Sequence, residues 1–139
     1  MKFSSKIEKC GFSPMRKFHP FAVAAEKRGM KIYRLNIGQP DVATPPQYFE
    51  SVKSFSQEVL AYAPSPGIPV LIKAIKDYYA KLDMHFDESE IIITTGGSEA
   101  LSMALGSILD DGDEILIPEP YYPNYNTMTN MTGGRIVPI

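Results

Sequence analysis

The sequence predicts an α/β fold in which a mainly parallel sheet begins to form between layers of helices. Residues 91–94 (IIIT) are a continuous β-branched run, which is typical of a strand covered on both faces. Residues 98–109 place apolar side chains along one face of a helix, and residues 114–117 (EILI) are a second buried run. A third strand is predicted over residues 135–139. This alternation of strand, helix, strand, loop and strand is typical of a doubly wound sheet.

The earlier part of the chain is predicted to contain three helices and one strand. Gly29 suits a helix C-cap, and Thr44 with Gln47 three residues later matches a capping box. The strand prediction rests on alternating apolar residues. These elements are a helix at 21–28, a strand at 31–37, a helix from 44 to about 60 and a helix from 69 to 82. Residues 118–126 are predicted to be an irregular, aromatic loop.

The composition excludes several classes of protein. The chain has 139 residues, with 14 Lys and Arg against 16 Asp and Glu, and no basic cluster, which argues against nucleic acid or a membrane surface as a partner. No apolar run approaches the ~20 residues of a membrane-spanning helix, and the N-terminus lacks the apolar stretch of a secretory signal. Cys10 is the only cysteine and cannot form an internal disulfide, so we expect a cytoplasmic location.

Two glycines between the run at 91–94 and the following helix indicate an anion site. Gly96 and Gly97 would let a phosphate approach the backbone N–H groups at the helix N-terminus, where Ser98 could add a hydroxyl donor. The alternative is a tight turn in which Ser98 only caps the helix. The segment lacks the P-loop and dinucleotide-binding patterns, so a nucleotide-binding protein is a weaker alternative.

A second candidate site is the aromatic loop that follows the strand at 114–117. Ligands of open α/β sheets bind beyond the C-terminal ends of the strands, where a tyrosine of this loop could stack on a flat ring. The alternative is that these tyrosines only pack the loop against the core. His19 and His85 lie near no other residues at metal-ligand spacing, so no metal site is predicted.

Four ordered segments resemble motifs of one family. Residues 35–41 (LNIGQPD) resemble an L-x-x-G-x-P-D signature, and residues 61–69 (AYAPSPGIP) resemble a Y-x-x-x-x-G-x-P segment. Two further motifs of the same family are similar to later segments of the chain. One corresponds to residues 94–100 together with Gly-Asp-Glu at 112–114, and the other to residues 118–123. The resemblance covers residues from about 14 to 139 and is to class I aminotransferases, the pyridoxal-phosphate enzymes of fold type I typified by aspartate aminotransferase.

This resemblance implies a cofactor, pyridoxal 5′-phosphate, and residues that bind it. Gly97, Ser98 and the backbone of Glu99 would bind the phosphate, and Tyr122 would stack on the pyridine ring. Tyr62 would reach the cofactor phosphate of a partner subunit, which implies a homodimer. The resemblance also places the backbone of one further residue, Gly38, beside the substrate carboxylate.

The resemblance implies that the catalytic residues lie downstream of this chain. The last lysine is Lys81, before the cofactor-binding segments begin, so no catalytic residue is predicted here and the chain is expected to be an N-terminal, truncated part of the three-layer fold. Residues 1–43 would form an N-terminal arm and the first part of the small domain, and residues 44–139 the first part of the large domain.

The expected activity is transfer of an amino group between an amino acid, with aspartate favoured, and a 2-oxo acid. Related enzymes share these early motifs, so aromatic and alanine aminotransferases and C–S lyases remain alternatives. A non-catalytic, phosphate-binding α/β fragment is the alternative of a different class.

Overall fold

A computed structural model describes residues 2–139 of the chain. The chain forms two compact units: the first consists of the described part of Met1–Gly38 together with Thr95–Ile139, and the second of Gln39–Thr94. The six α-helices and two strands of the described residues are α1 (Ser5–Glu8), α2 (His19–Glu26), α3 (Pro46–Ser54), α4 (Pro69–Ala80), α5 (Gly97–Ile108), β1 (Glu114–Ile117), α6 (Asn124–Thr132) and β2 (Arg135–Pro138).

The first unit contains a two-stranded parallel sheet. Strands β1 and β2 pair with Ile115 opposite Ile136 and Leu116 opposite Val137. Helix α6 connects the two strands and packs against α5, α1 and β2. The strands predicted at 114–117 and from Arg135 are confirmed. Parallel strands need such a crossover connection, and α6 provides it.

Helix α6 is an element that the sequence analysis did not predict. Residues 124–126 were expected to be loop, yet they form the first turn of the helix. Its polar composition gives almost no apolar stripe, and this is why the apolar periodicity missed it. The helix ends at Gly133, whose φ of 91° is the left-handed conformation that glycine adopts without strain.

Two predicted strands are wrong within the described residues. Residues 31–37 contain a turn and no strand, and the segment is instead connected to α2, where Arg34 Nη2 lies 2.9 Å from Glu26 Oε1. Residues 91–94 are also not assigned to a strand, and the N–H of Ile93 donates to the carbonyl of Pro66 at 2.8 Å. A strand is defined by its neighbours, and the described sheet contains only β1 and β2.

The helix predictions are confirmed with shifted ends. Helix α5 begins one residue before the predicted start, and α4 ends two residues before the predicted end. Helix α3 stops at Ser54 rather than near residue 60, because Phe55 has extended backbone angles. Its N-cap is Pro45 with no side-chain cap, so the capping role predicted for Thr44 is wrong.

Few side chains are fully buried in the described part of the chain. Ala25 and Leu105 are the buried apolar side chains of the first unit, and Ile72 that of the second. Thr129, on α6, is 1% exposed. Many large apolar residues are exposed. No helix among residues 2–139 is long and apolar enough to cross a membrane.

Candidate cofactor site

Helix α5 begins at Gly97, so the two glycines lie at a helix N-terminus as the sequence predicts. Gly96 occupies the N-cap position with φ 91° and ψ 169°, a conformation that side chains other than glycine rarely adopt. The Glu99 carboxylate accepts a hydrogen bond from the backbone N–H of Thr95 and so connects the first turn to the residue before the glycines. The helix is 12 residues long.

The donors at this N-terminus fit a phosphate group. The first-turn N–H groups of Gly97, Ser98 and Glu99 have no acceptor within the helix, and the helix dipole favours negative charge there. A Cβ built on Gly97 would meet no atom within 4 Å, so the approach to the backbone is open. The Ser98 side chain is exposed beside it. Backbone donors, a hydroxyl and an open approach are what a phosphate requires.

Tyr122 lies in the loop after β1, two residues before α6 begins. It is 45% exposed, so its ring remains accessible to a ligand. The N-terminus of α5 and Tyr122 both belong to the first unit. Tyr122 follows the C-terminal end of β1, and ligands of α/β sheets bind beyond such strand ends.

Tyr122 contacts two residues that the sequence analysis did not select. Asn124 Nδ2 donates to the Tyr122 hydroxyl at 2.9 Å, and the Tyr125 ring meets the Tyr122 ring edge to face at a centroid distance of 5.7 Å. The turn that leads into α6 brings the two rings together, because the N–H of Tyr125 donates to the Tyr122 carbonyl, so a correct prediction of where α6 begins would have pointed to this contact.

The remaining predicted site residues, Gly38 and Tyr62, are both exposed. Gly38 ends the first segment of the first unit, directly after the turn at residues 35–37. Tyr62 belongs to the second unit and is fully exposed, so its side chain packs against nothing in the described chain. The structure therefore groups Gly97, Ser98, Glu99 and Tyr122 in one unit and leaves Tyr62 free to contact another molecule.

Shifted pKa values do not mark this site. Lys73 Nζ donates to Asp77 on the exposed face of α4 at 2.7 Å, and this hydrogen bond lowers the pKa of Asp77 and raises that of Lys73. Both side chains belong to the second unit. Residues 2–139 also contain no cluster of three or more His, Cys, Asp or Glu side chains that could bind a metal ion.

Comparison with known proteins identifies the family of the chain. Residues 30–139 match the family model described as aminotransferase class I and II. The chain belongs to this family. The family's members are pyridoxal-phosphate-dependent transaminases, so the predicted resemblance and the predicted cofactor are confirmed at the level of the family.

Several curated aminotransferases are similar to the chain over most of its length. A probable N-acetyl-LL-diaminopimelate aminotransferase of Bacillus subtilis (strain 168) is 37% identical over 135 residues, which are 95% of this chain and 33% of that protein. The glutamate-pyruvate aminotransferase AlaC of Escherichia coli K12 is 40% identical over 118 residues, which are 82% of this chain and 29% of that protein. The chain thus spans about a third of the length of the curated relatives it matches.

Solved aminotransferases have the same fold over the whole chain. An aspartate aminotransferase of Rhizobium meliloti has a TM-score of 0.91 and 28% identity, and covers 100% of this chain with 35% of its own. A double mutant of the Thermus thermophilus aspartate aminotransferase has a TM-score of 0.90 and 29% identity, over 100% of this chain and 37% of its own. These neighbours are fold type I enzymes, which confirms the predicted fold class.

Proposed function

We propose that this aminotransferase chain forms part of the cofactor site of an enzyme that transfers an amino group between an amino acid and a 2-oxo acid. The observation on which the proposal depends is the N-terminus of α5, where Gly97 leaves the first-turn N–H groups open to an incoming anion. The experiments use the full-length protein, the polypeptide that contains this chain together with the part of its relatives that the chain does not span.

Four residues of the first unit would hold the cofactor. The N–H groups of Gly97, Ser98 and Glu99 and the Ser98 hydroxyl would bind its phosphate, because oriented donors at a helix N-terminus stabilise negative charge. Tyr122, which is 45% exposed, would stack on its pyridine ring. Bound pyridoxal phosphate supplies an electron sink for the electron pair released at the substrate Cα.

The two remaining residues would serve the substrate and the partner subunit. Gly38, which has no atom within 4 Å of a Cβ built on it, would let its backbone approach the substrate carboxylate. Tyr62 would donate its hydroxyl to the cofactor phosphate of a second copy, as the family resemblance implies, and its full exposure leaves the side chain accessible to that copy. The functional unit would then be a homodimer with shared sites.

The proposal extends to domain division and location. Residues 1–43 would form the N-terminal arm and the start of the small domain, and residues 44–139 the start of the large domain. The single Cys10 favours a reducing compartment, so we propose a cytoplasmic location.

Aspartate is the amino donor that we propose. Its support is the similarity to the aspartate aminotransferases of known structure, while the relatives that act on glutamate and pyruvate make alanine the second candidate. The test is to incubate the full-length protein with cofactor, ¹⁵N-labelled aspartate or alanine, and 2-oxoglutarate. We expect labelled glutamate, detected by mass spectrometry, to form faster from aspartate. A protein that binds the cofactor but transfers label from neither donor would contradict the proposal.

A further inference from the structure

We propose that Asn124 and Tyr125 are positioning residues that fix the ring of Tyr122 in the orientation in which it stacks on the cofactor. This inference rests on the cofactor-binding role proposed for Tyr122. It adds two residues, both from the start of α6, whose side chains need not touch the cofactor themselves.

The two contacts restrict different rotations of the Tyr122 side chain. The hydroxyl oxygen lies on the axis about which the ring turns, so the 2.9 Å hydrogen bond from Asn124 Nδ2 limits where the ring points but not its rotation about that axis. The edge-to-face contact with Tyr125, at 5.7 Å and 87°, limits the rotation itself. Together the contacts determine both the position and the plane of the ring.

Tyr125 is itself held in place by its neighbours. Its ring stacks on Tyr121 at a centroid distance of 6.3 Å and an angle of 18°, and its backbone N–H donates to the Tyr122 carbonyl at 3.0 Å. The Tyr121 hydroxyl in turn donates to Asn126 Oδ1 at 3.3 Å. Tyr121 and Tyr125 are partly buried, so the surface that restricts Tyr122 is anchored to the start of α6.

The exposure of Tyr122 distinguishes positioning for a ligand from simple loop packing. A tyrosine that only packs a loop would be covered by the rings around it, whereas Tyr122 is 45% exposed while Asn124 and Tyr125 are partly buried. A ring that is restrained yet accessible loses little side-chain freedom when a flat ligand binds, and such preorganisation increases affinity.

The test is a double-mutant cycle in the full-length apoprotein. Cofactor affinity is titrated by absorbance, ring orientation is followed by the induced circular dichroism of the bound cofactor, and thermal unfolding is recorded for every variant. We expect Asn124→Ala to raise the cofactor Kd about two- to fivefold, the size of one lost neutral hydrogen bond. In a Tyr122→Phe background the same change should add nothing, because the hydroxyl that Asn124 binds is already absent.

Tyr125 provides a matched pair of variants. Tyr125→Leu removes the ring that meets Tyr122 and should raise the Kd and alter the dichroism. Tyr125→Phe keeps the ring and removes a hydroxyl that forms no hydrogen bond within residues 2–139, so it should match the parent. Asn124→Asp should restore affinity relative to Asn124→Ala, since its carboxylate can accept a hydrogen bond from the Tyr122 hydroxyl.

An Asn124→Ala effect of equal size in both backgrounds, or no effect in either, would overturn the positioning role. The stacking role is tested separately with Tyr122→Ala. If Tyr122→Ala weakens binding and the Asn124 and Tyr125 variants do not, only this inference is wrong. If Tyr122→Ala leaves the affinity unchanged, the proposed stacking fails and this inference fails with it.

Discussion

Gly97 is a residue at which binding and folding can be tested separately. Its φ lies outside the left-handed region, and a Cβ there would meet no atom within 4 Å. A Cβ at this position therefore meets no steric conflict within the chain itself. The same side chain would block a phosphate from approaching the first-turn N–H groups.

We expect Gly97→Val in the full-length protein to raise the cofactor Kd about ten- to a hundredfold, the size expected for losing hydrogen bonds to a charged group. The unfolding temperature should change little. Gly106→Ala is the control, since Gly106 lies in the same helix with open space around it but away from the N-terminus. If the parent and Gly97→Val bound the cofactor with equal affinity, Gly96 and Gly97 would form only a turn and would not bind the phosphate.

At Tyr122 the ring and the hydroxyl are expected to contribute separately to cofactor retention. We expect Tyr122→Ala to raise the Kd roughly tenfold, because it removes the stacking surface. Tyr122→Phe should lose only the small contribution of the hydroxyl contact with Asn124. The dissociation rate of the cofactor from gel-filtered full-length protein measures both. If Tyr122→Ala retained the cofactor as well as the parent does, Tyr122 would not stack on the cofactor ring.

At the scale of elements, the sequence predicted helices better than strands. Helices α4 and α5 carry their signals locally, in apolar spacing and end residues, and both were predicted within two residues. The strand at 91–94 depends on neighbours that the described residues do not include, so its β-branched run alone does not produce a strand. Helix α6, in contrast, forms in the structure although its polar sequence gives no periodic apolar signal that would predict it.

The candidate site follows the same division between local and distant information. The N-terminus of α5 was predictable because its glycines, serine and helix start are adjacent in sequence. The contacts of Tyr122 with Asn124 and Tyr125 were not, since they depend on where α6 begins.

Helix α4 allows a prediction about pH. The hydrogen bond from Lys73 is the largest influence on the pKa of Asp77 and lowers it, and the smaller effect of desolvation raises it, so the pKa stays below its ordinary value. The same hydrogen bond raises the pKa of Lys73. A lowered carboxyl pKa stabilises the fold above the unfolded pKa of Asp77, and this is lost as the pH falls through the folded value. The raised Lys73 pKa stabilises below the unfolded value of Lys73 and is lost as the pH rises through the folded one.

We therefore expect Lys73→Met to raise the pKa of Asp77 towards its ordinary value, as measured by NMR titration of ¹³C-labelled aspartate. The effect on the unfolding temperature should be small at neutral pH, because the pair is exposed, and should vanish in acid. Lys76→Met is the control, since Lys76 exerts only a weaker Coulombic effect on Asp77. If Lys76→Met raised the pKa of Asp77 more than Lys73→Met does, the hydrogen bond from Lys73 would not be the main cause of the lowered pKa.

At the scale of the whole molecule, the exposure of Tyr62 leads to a prediction about subunits. A full-length variant with Tyr62→Phe is mixed, after dissociation and reassociation, with a second variant that lacks the lysine which the family resemblance implies forms the covalent link to the cofactor, in the part of the protein beyond this chain. If Tyr62 serves the partner's site, one heterodimer site carries both defects and the other carries none, so activity should recover to about a quarter to a half of the parent level. No recovery in heterodimers verified by mass would mean that Tyr62 serves its own subunit.

The 139-residue polypeptide by itself is expected neither to transaminate nor to link covalently to pyridoxal phosphate. Its last lysine is Lys81, which precedes α5 and β1, the elements that form the candidate site.

Its buried apolar side chains in the described residues are Ala25, Ile72 and Leu105, and burying a side chain such as leucine stabilises by about 1.5–3 kcal/mol. Many large apolar residues are exposed, so little apolar surface is removed from water when this chain folds without the rest of the protein. We expect broad, non-cooperative thermal unfolding and aggregation, and, after borohydride treatment with the cofactor, no single modified lysine by mass spectrometry. The full-length protein, treated in parallel, should show one. A cooperative transition from a soluble monomer would contradict the stability argument, and a single modified lysine in the 139-residue chain would contradict the chemical one.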